Sequence, residues 1–274
     1  MKFFIGLAGV ALLLALIWFV PKRFKRSKHA RLRSTPLPEE FQQILQANVG
    51  LYSQLPDNLK AELHGLMNIF LDEKTFIGCD GLEITDEMRV TVAGLACVLL
   101  LNRQTTQYAG FSSVMMYPTA YIATEVSYDG SVEVRKQVTR AGESWHRGPV
   151  VLSWADTLRG AANVSDGYNV VLHEFAHKLD EENNGTNGQP VLHEQSHYGQ
   201  WAAVLGKEYE SLEARAARGK NKVLHVYGLT SPPEFFAVAT ESFFEKTAAM
   251  KKKLPTLYEQ LQMFYRLDPA EWVK

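Results

Sequence analysis

The chain reads VLHEFAHKLD from Val171 to Asp180, and this stretch decides how its fold is interpreted. Apolar residues recur in it at helical spacing, and neither Gly nor Pro interrupts them. On a helix, His173 and His177 lie one turn apart on one face, where two imidazoles can hold a single zinc ion. Glu174 stands beside them, within reach of a water on that metal. The pattern therefore predicts a helix with a metal site, and the alternative is two histidines packed in an ordinary amphipathic helix.

The same H-E-x-x-H pattern occurs a second time, at His193-Glu194-Gln195-Ser196-His197. A long amphipathic helix is predicted over 192–217 and would carry this second pair. Its neighbours are polar and typical of a solvated helix start, whereas the apolar neighbours of His173 favour a dry, rigid site. The first pair is therefore predicted to hold the metal. Because a bare pattern that occurs twice in one chain is weak evidence, a third ligand has to support it.

A catalytic zinc usually takes three protein ligands and leaves its fourth position to water, whereas a structural zinc fills all four. The metzincin continuation of the motif is excluded, since it needs Gly at 180 and His at 183, and the chain has Asp180 and Asn183. Glu234 lies in the first turn of a helix predicted over 232–244, and Glu241 follows on the same face. Zinc for one carboxylate and a ligand histidine for the other would explain both. The remaining candidates are Glu181, Glu182, His193 and His197.

The rest of the chain predicts an α+β fold that is mostly helical and has a small mixed sheet. Helices are predicted over 39–47, 56–71 and 85–101 from their apolar spacing. Short segments between 114 and 152 are rich in β-branched and aromatic residues and are separated by Pro, Gly and Asp turns, which predicts strands. A sheet just before the 171–180 helix would offer an edge strand to which an extended peptide could add, and an unoccupied edge is the ordinary alternative.

The N-terminus has the properties of a membrane anchor. Residues 3–20 form an unbroken apolar run, about 27 Å long as a helix, which is close to the hydrocarbon thickness of a bilayer. Basic residues crowd positions 22–33 with no acidic residue among them, so the positive-inside rule predicts a single pass in the inner (cytoplasmic) membrane with the remaining chain in the cytoplasm. A cleaved secretory signal is the alternative. It would need basic residues before the run and a small-x-small site after it.

The predicted organisation has three parts. Residues 1–21 are a transmembrane anchor, and 22–37 are a basic juxtamembrane linker. Residues 38–274 are one catalytic domain, with a helical part over 38–110 and a sheet plus active-site helices over 111–274.

The charge distribution argues against a nucleic-acid partner, and the cysteine content argues against a disulfide framework or a Cys-ligated zinc site. Eight of the 29 Lys and Arg lie in residues 1–33, whereas all 30 Asp and Glu lie beyond them. The remaining chain is therefore acidic, and a nucleic-acid partner is not expected. Cys79 and Cys97 are too few for a disulfide framework or a Cys-ligated zinc site.

Several segments together carry a family resemblance: Met116–Pro118, Ser144-Trp145, Gly148–Leu152, His173–Asp180, and Pro233–Val238 with Phe243-Phe244. In these segments, and over about residues 56–268, the chain resembles the titration factor A (MtfA-like) family of zinc-dependent peptidases. That family is of the gluzincin type, with an active-site layout similar to the anthrax lethal factor protease. The resemblance implies a zincin-like peptidase domain. The apolar N-terminal run departs from the family's pattern.

The resemblance also implies roles for particular residues. His173, His177 and Glu234 would be the zinc ligands, and Glu174 the general base acting on a zinc-activated water. Tyr227, seven residues before Glu234, matches the family's active-site tyrosine and would stabilise the oxyanion, with a packed loop tyrosine as the alternative.

The expected reaction is peptide-bond hydrolysis, with aminopeptidase action as one form of it, on a peptide or protein substrate. The alternative function, which the resemblance implies, is a membrane-tethered regulatory protein that binds and sequesters a glucose-responsive transcriptional repressor. Asp180 either orients a ligand histidine or caps the end of its helix.

Overall fold

The computed structural model describes residues 23–103, 107–108, 110–129, 132–145, 148–183, 185–219 and 222–272. Among these residues, no helix is both long enough and apolar enough to cross a bilayer. The span predicted at residues 3–20 lies outside the described residues.

Helices dominate the described chain, and the predicted α+β class is confirmed. The helices are α1 (residues 23–34), α2 (Glu39–Asn48), α3 (Gly50–Gln54), α4 (Asp57–Glu73), α5 (Asp86–Val98), α6 (Trp154–Ala162), α7 (Val170–Asp180), α8 (Tyr198–Ala216), α9 (Pro232–Glu245), α10 (Thr247–Lys253) and α11 (Pro255–Tyr265). The strands are β1 (Thr75–Gly78), β2 (Ser113–Tyr117), β3 (Tyr121–Asp129), β4 (Val132–Arg140), β5 (Gly142–Ser144) and β6 (Val150–Ser153).

The main sheet is mixed, as predicted, with four strands in the order β1-β2-β6-β5. Strand β2 pairs in parallel with both β1 and β6, whereas β5 pairs antiparallel with β6 and forms one edge. The central strands bury Val114, Met116, Val150 and Leu152. Strands β3 and β4 form a separate antiparallel hairpin. The chain thus returns from β4 directly into edge strand β5.

The helix predicted from the 171–180 stretch is α7, and it lies in the middle of the core. Val171, Leu172, Phe175, Ala176 and Leu179 are fully buried. Burial of each large apolar side chain contributes about 1.5–3 kcal/mol. The helix begins where the Asn169 side chain accepts a hydrogen bond from the Leu172 N–H. Packing on this apolar face fixes the rotation of α7 and therefore the direction in which its histidines point.

Two predicted segments differ from the structure near the N-terminus. Part of the predicted 22–37 linker is helix α1, which lies on α4 through the pairs Lys28 with Asp72 at 2.6 Å and His29 with Glu73 at 2.9 Å. Basic residues on one side of α1 thus find acidic partners on α4, and these stabilise a helix where composition alone indicated a linker. The predicted helical part over 38–110 also contains β1. Only four residues long, this strand is defined by pairing with the distant β2.

The prediction of a long helix over 192–217 is wrong at the start of that range. Residues Gln195–His197 form a short 3-10 turn, and the α-helix begins at Tyr198. The Tyr198 hydroxyl accepts the Leu192 N–H, so the chain is folded back before the helix begins. Because His193 precedes this turn, it does not share an α-helix with His197.

Candidate metal centre and catalytic cleft

His173 and His177 point from α7 towards Glu234 on α9. Glu234 Oε2 lies 2.8 Å from His173 Nε2 and 3.5 Å from His177 Nε2. One ligand atom from each residue lies within 4.8 Å of the other two. In the part of the chain that the structure describes, no other group of three His, Cys, Asp or Glu residues is placed to hold a metal ion. Two imidazoles and one carboxylate are a typical donor set for a catalytic metal with an open position.

The start of α9 explains the position of Glu234. The Ser231 hydroxyl accepts the Glu234 N–H, and two prolines occupy the first helical positions, where a missing N–H does no harm. Glu234 therefore lies in the first turn, where the helix dipole favours a carboxylate. Burial acts to raise the pKa of Glu234, but hydrogen bonds from His173 and His177 hold this pKa well below its usual range.

Glu241 lies two turns further along α9 and contacts the other side of the His173 ring. Its Oε1 is 3.5 Å from His173 Nδ1 and accepts the Asn169 N–H at 3.1 Å. Burial acts to lower the pKa of His173, but the charge of Glu241 and the hydrogen bond with Glu234 raise it well above the usual value. Glu234 and Glu241 thus contact opposite nitrogens of the His173 ring. Their negative charges make the imidazole a stronger base and a better partner for a cation.

Glu174 is buried between α7 and the edge strand. A Cβ added at Gly142 of β5 would lie 2.6 Å from Glu174 Oε1, so the carboxylate fits there only because position 142 is glycine. Burial raises the pKa of Glu174. A carboxylate with a raised pKa beside a metal site suits the transfer of a proton.

A cleft of about 460 Å³ joins these groups. It is bounded by the edge strand, α7, the 225–230 turn and α9. Its lining comprises Arg140, Ala141, Gly142, Tyr168, Val170, His173, Glu174, His225, Tyr227, Thr230, Val238 and Glu241. Both a ligand histidine and the buried Glu174 therefore face one space large enough for part of a peptide.

Tyr227 lies at the mouth of this cleft. Its side chain is 49% exposed, and its ring centroid is 5.8 Å from that of His173. The structure thus places Tyr227 beside His173, with half of its side chain open to solvent. His225, which the sequence analysis did not single out, accepts the Tyr227 N–H at Nδ1 and begins the turn that carries it. In the sequence, the position of His225 two residues before Tyr227 was the signal that could have identified it.

Asp180 has a role that neither sequence interpretation anticipated. Its buried carboxylate accepts the Gly188 N–H at 2.7 Å and so holds the turn that follows α7. That turn lies against the start of α9, because a Cβ at Gly188 would be 2.6 Å from the Pro232 carbonyl oxygen. His177 Nδ1 has no hydrogen-bond partner among the described residues. Orientation of His177 by Asp180 therefore stays a prediction.

The other candidate ligands are engaged elsewhere. His193 donates from Nε2 to the Phe264 carbonyl, and it lines a separate cavity of about 190 Å³ together with Glu194 and His197. Glu181 forms an ion pair with Lys178 at 3.0 Å, and Glu182 forms one with Arg103 at 3.0 Å. The second H-E-x-x-H pattern is therefore no part of the three-residue cluster.

Lys178, also missed at the sequence level, fixes the segment after the edge strand. It is 1% exposed, and its ammonium group donates to the carbonyl oxygens of Trp145 and Gly148 at 2.6 and 3.2 Å. Burial lowers its pKa. The helix that carries the histidines thus also holds the end of β5 in place.

An H-E-x-x-H helix that faces a glutamate on a second helix, beside a sheet edge and an open cleft, has the architecture of a metallopeptidase. The family model described as glucose-regulated metallo-peptidase M90 matches residues 22–266. The chain belongs to this family.

The similar proteins cover most of the chain. An uncharacterized protein of Synechocystis, slr2042, is 35% identical over 259 residues, which are 94% of each chain. The Mlc titration factor A proteins of Yersinia pestis and Yersinia pseudotuberculosis are each 30% identical over 231 residues, 83% of this chain and 84% of theirs. These matches confirm the predicted titration factor A resemblance.

Proposed function

We propose that this chain is a zinc-dependent peptidase of the gluzincin type, with His173, His177 and Glu234 as zinc ligands and Glu174 as general base. The main support is that one donor atom from each of these three ligands lies within 4.8 Å of the other two. They lie beside a cleft that Glu174 also lines. The similarity to the anthrax lethal factor catalytic domain belongs to the same proposal. Membership of a metallopeptidase family supports peptide or protein substrates.

Each residue near the cleft has a distinct task. Bound zinc would supply Lewis acidity that polarises the scissile carbonyl and acidifies the attacking water. Glu174 accepts the proton of that water and passes it to the leaving amine. Tyr227 donates its hydroxyl hydrogen bond to the developing oxyanion, and Glu241 holds the His173 ring through Nδ1.

The substrate binds as an extended peptide along β5. The sheet order ends at this strand, which pairs with β6 on its inner side, and an incoming peptide adds to the outer side by backbone hydrogen bonds. Gly142 places this edge directly against Glu174. Main-chain binding brings a peptide bond beside the base with little dependence on its side chains.

The direct test is zinc content and peptide hydrolysis by the purified full-length chain and by a Glu174→Gln variant. The variant should keep the metal and lose hydrolysis, because Gln cannot accept the proton. Hydrolysis that persists in the variant would overturn the assignment. Peptides with free and with acetylated N-termini separate aminopeptidase from endopeptidase action, since an aminopeptidase requires the free amine.

A second candidate function is a membrane-tethered regulatory protein that binds and sequesters a transcriptional repressor. The name of the Yersinia relatives, Mlc titration factor A, and the glucose-regulated description of the family favour it. In cells, a Glu174→Gln chain that retains the full regulatory effect would support binding. Loss of the effect together with hydrolysis would support proteolysis.

The proposed location is the inner membrane, with residues 3–20 as the anchor and the catalytic domain in the cytoplasm. Helix α1 follows this run and exposes Arg23, Arg26 and Arg31, which suit a surface of anionic headgroups. The full-length chain should stay with membranes through alkaline carbonate washing, and protease added to intact spheroplasts should leave it uncut. Release by the wash would contradict the anchor.

A further inference from the structure

Asn169 joins three helices at the back of the metal site. It is 1% exposed, and its side-chain oxygen caps α7 by accepting the Leu172 N–H. Its side-chain amide donates to the Gly160 carbonyl oxygen of α6 at 3.1 Å and to Glu245 Oε1 of α9 at 3.0 Å. Its backbone N–H donates to Glu241. A helix cap alone requires only the first of these hydrogen bonds.

Asn169, Glu241 and Glu245 form a buried cluster, in which Glu245 is the second unusual residue. It lies one helical turn after Glu241, is 6% exposed, and takes no part in the mechanism described above. Burial raises the pKa of Glu245 to about 8, and the Glu241 charge adds to the rise. Glu245 thus accepts the Asn169 amide from a buried position one turn beyond the carboxylate that lies next to His173.

Geometry connects this cluster to the proposed metal ligand. Glu241 Oε1 faces His173 Nδ1 on one side and the Asn169 N–H on the other. The position of Asn169 is fixed in turn by the hydrogen bond of its side-chain amide with Glu245. A shift of Asn169 would change both the start of α7 and the partner of the Glu241 carboxylate.

We infer that Asn169 and Glu245 are positioning residues of the metal site, which hold the Glu241 carboxylate against His173 Nδ1. The inference rests on the proposed function, because His173 is taken as a zinc ligand. Groups that orient a ligand histidine typically change metal affinity by about 10- to 100-fold when they are removed. The two residues should therefore affect zinc affinity although neither touches the metal.

The experiment measures the zinc dissociation constant of the full-length chain by competition with a chromophoric chelator. Asn169→Ser keeps an oxygen that can cap α7 but removes the amide that reaches Glu245. Glu245→Ala removes the acceptor, whereas Glu245→Gln keeps a carbonyl oxygen in its place. Asn169→Ser and Glu245→Ala should each weaken zinc binding by about tenfold or more. Glu245→Gln should stay within about twofold of the wild type, since it reproduces the neutral form.

The control separates positioning from simple loss of stability. Thr85→Ala removes the cap of α5, where the Thr85 hydroxyl accepts the Met88 N–H far from α7 in the sequence. It should lower the unfolding temperature and leave zinc affinity unchanged. Equal zinc affinities for the wild type, Asn169→Ser and Glu245→Ala, at whatever stability, would overturn the inference.

Other outcomes distinguish the two proposals. A wild type that binds zinc tightly but cleaves no peptide would contradict the proposed function, and the affinity comparison would still decide the positioning roles. A wild type that binds no zinc would contradict both. If Asn169→Ser fails to fold, the contrast between Glu245→Ala and Glu245→Gln still decides the matter, because only the former loses the acceptor.

Discussion

Glu234 Oε2 lies 2.8 Å from His173 Nε2, although 61 residues separate the two in sequence. The contact joins the first turn of α9 to the middle of α7. The same oxygen lies 3.5 Å from His177 Nε2, so one carboxylate oxygen faces both imidazoles. A divalent cation between these groups would satisfy both together with His177.

Glu234→Gln tests the third ligand. The amide keeps the size of the side chain but has no charge and is a poor metal ligand, so zinc affinity should fall by at least about 100-fold. Chelator competition measures the loss, and peptide hydrolysis should fall with it at low zinc. Glu194→Gln is the control, because it lies in the second H-E-x-x-H pattern and should leave zinc binding unchanged. An unaltered affinity of Glu234→Gln would exclude Glu234 as a ligand.

Gly142→Ala tests the contact between the edge strand and the base. The new Cβ would lie 2.6 Å from Glu174 Oε1 and 2.5 Å from Val170 Cγ2, so the carboxylate must move. The turnover number should fall by about 100-fold, the loss that a misplacement of about 1 Å can cause, while zinc content stays at one ion per chain.

The matched control for Gly142→Ala is Gly206→Ala. A Cβ at Gly206 meets nothing within 4 Å, and the residue lies in α8. Alanine there should stabilise the helix by about 0.5–1 kcal/mol and leave turnover unchanged. A Gly142→Ala chain with normal turnover would show that Glu174 does not depend on the glycine.

The sequence predicted those parts of the site whose signals are local. Helix α7 has an unbroken apolar stripe, and α9 starts with Ser231 and two prolines just before Glu234. Because helix periodicity and capping depend on neighbours within a few residues, both helices and the places of His173, His177 and Glu234 on them could be predicted without tertiary information. The mixed sheet could be predicted as a class from its β-branched segments.

The parts that were missed depend on distant contacts. Strands β1 and β5 are four and three residues long and exist through pairing with β2 and β6. Lys178 would normally lie on a solvated helix face, and only the carbonyl oxygens after β5 explain its burial. The link of Asn169 to Glu245 likewise depends on a residue 76 positions away.

Lys178→Ala tests the anchor of the edge strand. Removal of the ammonium group takes one donor from the Trp145 carbonyl and the buried cationic partner from Glu181. Loss of one partner from a buried ion pair destabilises by about 3–5 kcal/mol, so the free energy of unfolding in urea should fall by that order. The Michaelis constant for peptides should also rise, because β5 loses its fixed end.

The control for Lys178→Ala is Lys251→Ala. Lys251 forms an ion pair with Asp268 at 2.7 Å, but its side chain is half exposed. Pairs of this kind contribute about 0–1 kcal/mol. Equal, small losses of stability in both variants would contradict an anchoring role for Lys178.

Tyr227→Phe tests the oxyanion role. The substitution keeps the ring beside His173 and removes the hydroxyl. Loss of one donor to an oxyanion lowers turnover by about 10²–10³-fold, while zinc affinity and the Michaelis constant should change little. A turnover within about twofold of the wild type would assign the oxyanion contact to another cleft residue, of which His225 would be the next to substitute.

Glu245 predicts how the stability of the metal-free protein depends on pH. Burial raises its pKa to about 8 in the folded chain, above the ordinary value of 4.5. The folded state therefore holds a proton that the unfolded state has released, and this contribution to stability is full below the unfolded pKa and is lost as pH rises through about 8. Wild-type stability should fall over this window relative to Glu245→Gln, whose side chain does not titrate.

Urea unfolding of both chains with chelator present, at intervals from about pH 5 to about pH 9, measures the difference. Because the other titrating groups are shared, their effects cancel in the comparison, and parallel stability curves would mean that Glu245 has an ordinary pKa in the folded protein.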